Sequence, residues 1–429
     1  MSINEKEYKK RLIDKKVEDY LTVFGAISIE GPKWCGKTWT SLRHSKSEIF
    51  MDDYDIRELA RLDVKLILNK DSSKKPQLID EWHLVPSIWD AIRRACDKTL
   101  EKGNFILTGS TTLNDEVTKE NIHHSGVGRI GRLKMYTMSL YESGDSIGVA
   151  SLRNMLNNTQ ENIYIGDIEI EQIAKLIIRG GWPANINTKE DKIGLIPKSY
   201  IDSIINIDMN EQGKRRNKHK MNMLLRSLAR NESEIIGNKR IIKDIEEYEN
   251  EKELLSSRDT VIEYLNILDR LHLIENQDAY GLNYRSPERV GKSPKRHLTD
   301  PSLSCACLGL TKEKLIKDLN TFGFMFESLV ERDLRIYMDY LDGHLYHFRD
   351  NISGLEVDAI LEFSSGEYAA VEIKLGYNEV DKAKKNLLTF YNNMIKKPSF
   401  MCIIVGKGSA VIKDLETGIY ILPITALKP

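Results

Sequence analysis

Over about the first 145 residues, short apolar runs alternate with stretches whose apolar positions recur at helical spacing. AISIE at 26–30, EIFM at 48–51, QLIDE at 77–81, FILT at 105–108 and the run 133–140 read as strands, and residues 86–100 as an amphipathic helix. Alternation of this kind predicts a parallel sheet covered by helices. From 146 to 315 the pattern is mostly helical. Segments 223–230, 241–247 and 258–271 are each amphipathic, and LHLIE at 271–275 then GLNY at 281–284 follow them. Three helices and a short hairpin predict a winged helix. From 316 to 429 a helix over 322–341 precedes strand-like runs at 344–348, 356–363, 368–374 and 400–405, with a helix at 380–393 before the last. That pattern predicts a small α/β domain.

The chain has 429 residues, which favours two or three domains, and an apolar fraction of 41% suffices for folded cores. Its 63 Lys and Arg nearly cancel its 64 Asp and Glu, which excludes a uniformly basic coat but not a local basic patch. The first twenty residues are charged throughout, and no apolar run approaches the roughly 20 residues that span a bilayer. A cytoplasmic protein with no membrane partner is expected. Five scattered cysteines, among them the pair Cys305 and Cys307, complete no zinc pattern and are expected as reduced thiols.

Gly31, Pro32, Lys33, Trp34, Cys35, Gly36, Lys37 and Thr38 fit G-x-x-x-x-G-K-[ST], with AISIE leading in and a helix-like WTSL leading out. Glycines let backbone N–H groups turn toward phosphate oxygens, and the helix N-terminus adds positive dipole. These residues are expected to cradle ATP, with Lys37 reaching its β- and γ-phosphates and Thr38 binding Mg²⁺. Asp80, ending an apolar strand, is the second magnesium-side carboxylate, and Glu81 is the group that polarises water. The next strand ends in Leu107-Thr108-Gly109-Ser110; Ser110 is the first choice for a γ-phosphate sensor and Thr108 the second. In GRIGR at 128–132, Arg129 is a candidate to complete a nucleotide site, in cis or across a subunit boundary.

The stretches EGPKWCGKT, QLIDEWHLVPSIWDAIRRACD, FILTGSTTL and GVGRIGRLKMYTMSLYESG together resemble the AAA+-like ATPases of prokaryotes. The resemblance continues through GGWP at 180–183, SPKRHLTDP at 293–301 and GLEVD at 354–358, so it spans nearly the whole chain. It implies an ASCE-type ATPase core, a middle winged-helix region and a terminal domain related to PD-(D/E)xK nucleases. Trp34-Cys35 departs from the smaller or polar residues usual in the loop, at positions that tolerate variation.

The residues of the last block carry the same idea. Asp358 precedes Glu372-Ile373-Lys374, and period-2 alternation puts Glu372 and Lys374 on one face, where a neighbouring strand can bring Asp358. Asp358 and Glu372, with Glu327 from the preceding helix, could hold a second Mg²⁺ or a Mn²⁺, and Lys374 could activate a water for phosphodiester attack. The same spacing also arises by chance, and such a fold can persist without cutting.

The fold class expected is therefore α/β: a P-loop NTPase sheet over 1–145, a helical and winged-helix region over 146–315, and a restriction-endonuclease-like domain over 316–429. The function expected is ATP binding and hydrolysis coupled to a nuclease-like domain that acts on nucleic acid. Two alternatives stand beside it. One is a nucleotide-dependent switch or scaffold that binds a protein or DNA partner without cleavage; the other is a winged-helix DNA-binding regulator whose assembly ATP controls. The basic stretch 214–220 is a candidate phosphate contact, DNA the candidate macromolecular partner, and a homo-oligomer is left open.

Overall fold

The computed structural model describes residues 8–69, 73–99, 101–109, 126–206, 217–248, 258–281 and 292–429. The chain divides into two compact units. The first is Met1–Thr137 with Ile267–Leu273, the second Met138–Asn266 with Ile274–Pro429.

The first unit is built on strands β1 (Ala26–Glu30), β2 (Ser47–Phe50), β3 (Gln77–Asp80), β4 (Phe105–Gly109) and β5 (Ile130–Lys134). They form one sheet in the order β2-β3-β4-β1-β5, every neighbouring pair parallel. β3 and β4 are buried along their whole length, as a sheet covered on both faces requires. Helix Ser87–Thr99 places Ile88, Trp89, Ile92 and Cys96 in the core, a three-to-four-residue spacing. Each large apolar side chain so buried contributes about 1.5–3 kcal/mol. The expected strand over 133–140 begins and ends earlier. Ser139 and Glu142 form a reciprocal capping box that starts a short helix, Leu140–Ser143, so the apolar run is split.

In the second unit, β8 (Glu234–Ile235), β9 (Ile274–Gln277) and β10 (Lys295–Leu298) form a three-stranded sheet in the order β8-β10-β9. Helices Lys218–Arg230, Asn238–Tyr248 and Arg258–Arg270 accompany these strands in the chain. β9 pairs antiparallel with β10, and residues 282–284 of the expected hairpin lie outside the described residues. The expected basic loop is partly helix: the Asn217 side chain caps helix Lys218–Arg230 by accepting from the His219 and Lys220 N–H groups at 2.9 and 3.2 Å. Residues 214–216 lie outside the described residues.

The second sheet of this unit has seven strands. Helix Leu319–Tyr340 leads into the antiparallel run β11 (His344–Arg349), β12 (Glu356–Glu362) and β13 (Tyr368–Lys374). Helix Val380–Asn393 then returns the chain so that β14 (Phe400–Val405) lies parallel to β13. The sheet continues through β16 (Tyr420–Pro423) and β15 (Ala410–Lys413) to β7 (Ile163–Tyr164), and β17 (Leu427–Lys428) pairs with β6 (Ala150–Ser151). Strands β6 and β7 come from the middle of the chain and pair with strands of its C-terminal part.

Buried ions reinforce that union. Arg332 donates to Asp300 Oδ2 at 2.9 Å and to Asp333 Oδ1 at 2.7 Å, all three residues being buried. Asp300 Oδ2 also accepts from the Gly181 N–H at 2.9 Å, and Asp333 Oδ2 from the Leu140 N–H, also at 2.9 Å. A Cβ on Gly181 would stand 2.1 Å from the Met138 carbonyl oxygen, which explains the glycine. The GGWP and TDP segments thus meet in one knot, and Trp182 Nε1 donates to Ser302 Oγ at 2.9 Å. Truncating one partner of such a buried pair strands the other charge, at a cost of about 3–5 kcal/mol. Arg332→Ala, which leaves Asp300 and Asp333 both without their cation, should lower the free energy of unfolding in urea by about that amount; a loss of under about 1 kcal/mol would show that the two carboxylates take up protons or reach water.

Candidate nucleotide site and carboxylate cluster

In the first unit β1 runs straight into the loop 31–38, and helix Lys37–His44 follows it. The close packing of the loop requires its first glycine: a Cβ on Gly31 would stand 2.2 Å from the Met135 carbonyl oxygen. Gly36 turns into the helix with φ 105°, a left-handed value that favours glycine. Trp34 takes a left-handed φ of 63° and stays exposed, while Cys35 is buried. Lys37 Nζ donates to the Gly31 and Pro32 carbonyls at 2.9 Å each, so its ammonium lies within the curve of the loop.

The helix after the loop and two strand ends supply the remaining groups. Thr38 Oγ1 donates to Asp80 Oδ1 at 3.0 Å and lies 3.3 Å from Oδ2. Thr108, at the end of β4, donates its hydroxyl to the same Oδ1. Burial raises the Asp80 carboxyl above its ordinary range, and the Thr108 and Thr38 hydroxyls oppose that shift. Glu81 follows with a left-handed φ of 53°, which turns it out of the strand direction. Burial raises its carboxyl too, against the pull of Lys37. His83 Nδ1 lies 3.3 Å from Glu81 Oε2 without hydrogen-bond alignment. Burial, with Lys33 and Lys37 nearby, pushes the imidazole down to about 4, so it is neutral at pH 7 and the pair is not an ion pair.

The second-ranked sensor, Thr108, is thus the one in contact with Asp80, whereas Ser110 lies outside the described residues. Arg129 is a correction. Its carbonyl accepts from Ala26 N at 3.1 Å, at the start of β1, while the loop leaves from the other end of that strand. Five strand residues separate the two ends by roughly 16 Å. Arg129 Nε pairs with Asp97 Oδ1 at 2.6 Å instead, so it does not complete the nucleotide site of its own chain.

Sequence reasoning missed Arg11. It is buried, and its guanidinium donates to the Cys35 carbonyl at 2.7 Å and to the Tyr136 and Thr137 carbonyls at 2.9 and 3.2 Å. One side chain thereby ties the loop to the segment after β5. A lone arginine in a charged stretch carries no local signal of this.

In the second unit, β12 and β13 bring Asp358, Glu372 and Lys374 together as their spacing predicts. Lys374 Nζ lies 3.0 Å from Asp358 Oδ2 and 2.7 Å from Glu372 Oε2. Ile373 N–H donates to Asp358 Oδ2 at 2.8 Å, and Asn386 Nδ2 to Glu372 Oε1 at 2.6 Å. Burial works against ionised Asp358, but Lys374 and Lys295 hold it below the usual range. Glu372 is raised, by burial and by Asp358 beside it. Glu327 does not join these acids as a metal ligand: it pairs with Lys295 Nζ at 2.5 Å. Among the described residues no group of three or more His, Cys, Asp or Glu side chains is arranged to hold a metal ion. The residues present therefore do not fit the second Mg²⁺ or Mn²⁺ expected at Glu327, Asp358 and Glu372.

A further buried acid, Glu232, accepts from the Ser304 and Ser328 hydroxyls and from Leu298 N. Burial pushes it up to about 7. Its proton is kept in the folded state where the unfolded chain has already lost it, so this group lowers stability as pH rises from about 4.5 to about 7. Glu331 and Glu372 act in the same direction. Glu232→Gln should flatten the fall in urea midpoint between about pH 5 and pH 8; an unchanged slope would mean that Glu232 ionises normally in the folded protein.

Comparison with known proteins matches the chain in three pieces. The family described as AAA domain matches residues 24–144, that described as Domain of unknown function (DUF8612) residues 170–314, and that described as Domain of unknown function (DUF4143) residues 322–427. No curated protein matches the chain. Similar solved structures include the Walker-type ATPase of Pyrococcus abyssi, at 14% identity over 72% of this chain and 96% of that one, with a TM-score of 0.42. The ORC2 protein of Aeropyrum pernix is 12% identical over 74% and 94%, with a TM-score of 0.34. DnaA of Aquifex aeolicus is 14% identical over 60% and 86%, with a TM-score of 0.28. No helix among the described residues is long and apolar enough to cross a membrane. The AAA domain match falls on the parallel sheet and its phosphate loop, and together these support a P-loop ATPase.

Proposed function

We propose that this chain binds ATP with Mg²⁺, hydrolyses it, and passes its nucleotide state to a C-terminal domain directed at nucleic acid or a protein partner. The convergence of Thr38 and Thr108 on Asp80 carries the first part. A hydroxyl and a carboxylate 3.0 Å apart at the end of a phosphate loop are oxygen donors suited to a hard cation. Thr38 and Asp80 would hold magnesium, which when bound neutralises phosphate charge. Lys37 and the loop amides bind the phosphates, Thr108 helps fix the Asp80 rotamer through Oδ1, and Glu81 accepts the proton of the attacking water. Burial raises the Glu81 carboxyl above its ordinary range, which makes it a stronger base toward that proton.

Two features support coupling. Residues 267–273, which end helix Arg258–Arg270 and precede β9, belong to the first unit although the chain on either side belongs to the second. His272 in this segment is buried, and burial with Lys134 and Lys37 pushes it down to about 3. The order helix, β8, helix, helix, β9, β10 is that of a winged helix, a module used on DNA and on proteins alike. The helix, three antiparallel strands, helix and parallel strand of residues 319–405 follow the restriction-endonuclease-like order. The engagement of Glu327 by Lys295 favours the second reading, a nucleotide-dependent switch that binds without cutting.

Lys37→Ala should abolish ATP binding, and Glu81→Gln should keep it while reducing turnover by about 10²-fold or more. Thr108→Val should lower kcat with little change in nucleotide affinity. Fluorescent-nucleotide binding and phosphate release measure both quantities; an active Lys37→Ala protein, or a fully active Glu81→Gln protein, would defeat the assignment.

A further inference from the structure

The acids of the C-terminal site do not stand alone; a lysine from a different sheet has its head group among them. Lys295 lies on β10, the central strand of the three-stranded sheet, where it is opposite Ile235 of β8 and Gln277 of β9. Its backbone is therefore pinned on both sides. An ammonium has three N–H donors. Lys295 Nζ has three acceptors: Glu327 Oε1 at 2.5 Å, Glu331 Oε1 at 2.8 Å and the Asp358 carbonyl at 3.3 Å. Lys295 and Glu331 are buried, so water does not compete. Gln277 strengthens the seam, its Nε2 donating to the Tyr346 and Asp358 carbonyls at 2.8 and 3.1 Å.

Charge makes the same point. Glu327, Glu331, Asp358 and Glu372 face two ammonium groups, Lys295 and Lys374, each within 3.0 Å of two of the acids. A divalent cation would add two charges beside an immobile ammonium that already has short contacts to the acids, in a medium that screens repulsion poorly. It would also need about six oxygen ligands, and Glu327 and Glu331 are spent on Lys295. We propose that Lys295 is the resident cation of this carboxylate pocket, replacing the divalent metal, so that the C-terminal domain takes up no catalytic metal while β10 is in place. The inference rests on reading residues 319–405 as nuclease-like and is independent of ATP chemistry.

The test is Mn²⁺ binding to the full chain without nucleotide, followed by electron paramagnetic resonance and by the shift in melting temperature. Wild type and Asp358→Asn should bind the same amount of Mn²⁺, and Mn²⁺ should not raise the wild-type melting temperature. Lys295→Ala should melt lower than wild type, gain about one Mn²⁺ per chain and recover stability with it, and Lys295→Ala/Asp358→Asn should lose both responses. If Lys295→Ala does not fold, Lys295→Ala/Glu331→Gln, which removes one uncompensated acid with the lysine, should show the same gain. A wild-type Mn²⁺ site that Asp358→Asn removes would overturn the proposal, as would lysine-free variants that gain none. An inactive Lys37→Ala protein leaves these outcomes unchanged, so failure of the ATPase reading is distinguishable.

Discussion

The nucleotide site depends on the direction of five parallel strands. Because β1, β3 and β4 run the same way side by side, their C-terminal ends arrive at one edge of the sheet. That edge is where Thr38, Asp80 and Thr108 share hydrogen bonds and where Glu81 turns outward. None of these side chains is unusual alone. Their chemistry comes from a buried carboxylate whose charge is supported by hydroxyl donors and by a lysine one loop away. The same strand direction removes Arg129 from this edge.

The second unit is organised by buried ions in place of a phosphate loop. Asp300, Arg332 and Asp333 join the middle of the chain to the long helix before the C-terminal sheet, and Lys295 joins β10 to that helix and to β12. Such pairs add little net stability over apolar packing but penalise any arrangement that separates them. They specify how segments distant in sequence meet. The carboxylate cluster of β12 and β13 is thereby joined to β10 through Lys295.

Much of this was legible in the residues, for reasons of locality. The phosphate loop is one contiguous octapeptide, and its strand and helix flanks are short-range patterns. Asp358, Glu372 and Lys374 were legible because strand alternation fixes which side chains share a face, and β12 and β13 are adjacent in the chain. What stayed hidden is non-local. Lys295 reaches Asp358 across 63 positions of sequence, and nothing in SPKRHLTDP announces its partners. Arg11 reaches Tyr136 across 125 positions. Two-residue strands such as β6 and β7 are too short for periodicity, so their pairing with β17 and β15 carries no local signal. That Thr108 faces Asp80 is likewise decided by the neighbouring strands, not by its own segment.

Under the proposed function, the loop edge of the first unit holds a nucleotide's phosphates together with a magnesium ion between Thr38 and Asp80. Calorimetric titration of ATP into the full chain, with magnesium and with EDTA, tests it most directly when repeated on Asp80→Asn. The expected result is one site per chain whose affinity rises with magnesium in the wild type and loses that dependence in Asp80→Asn. No ATP affinity in the wild type, or the same magnesium dependence without the Asp80 carboxylate, would contradict it.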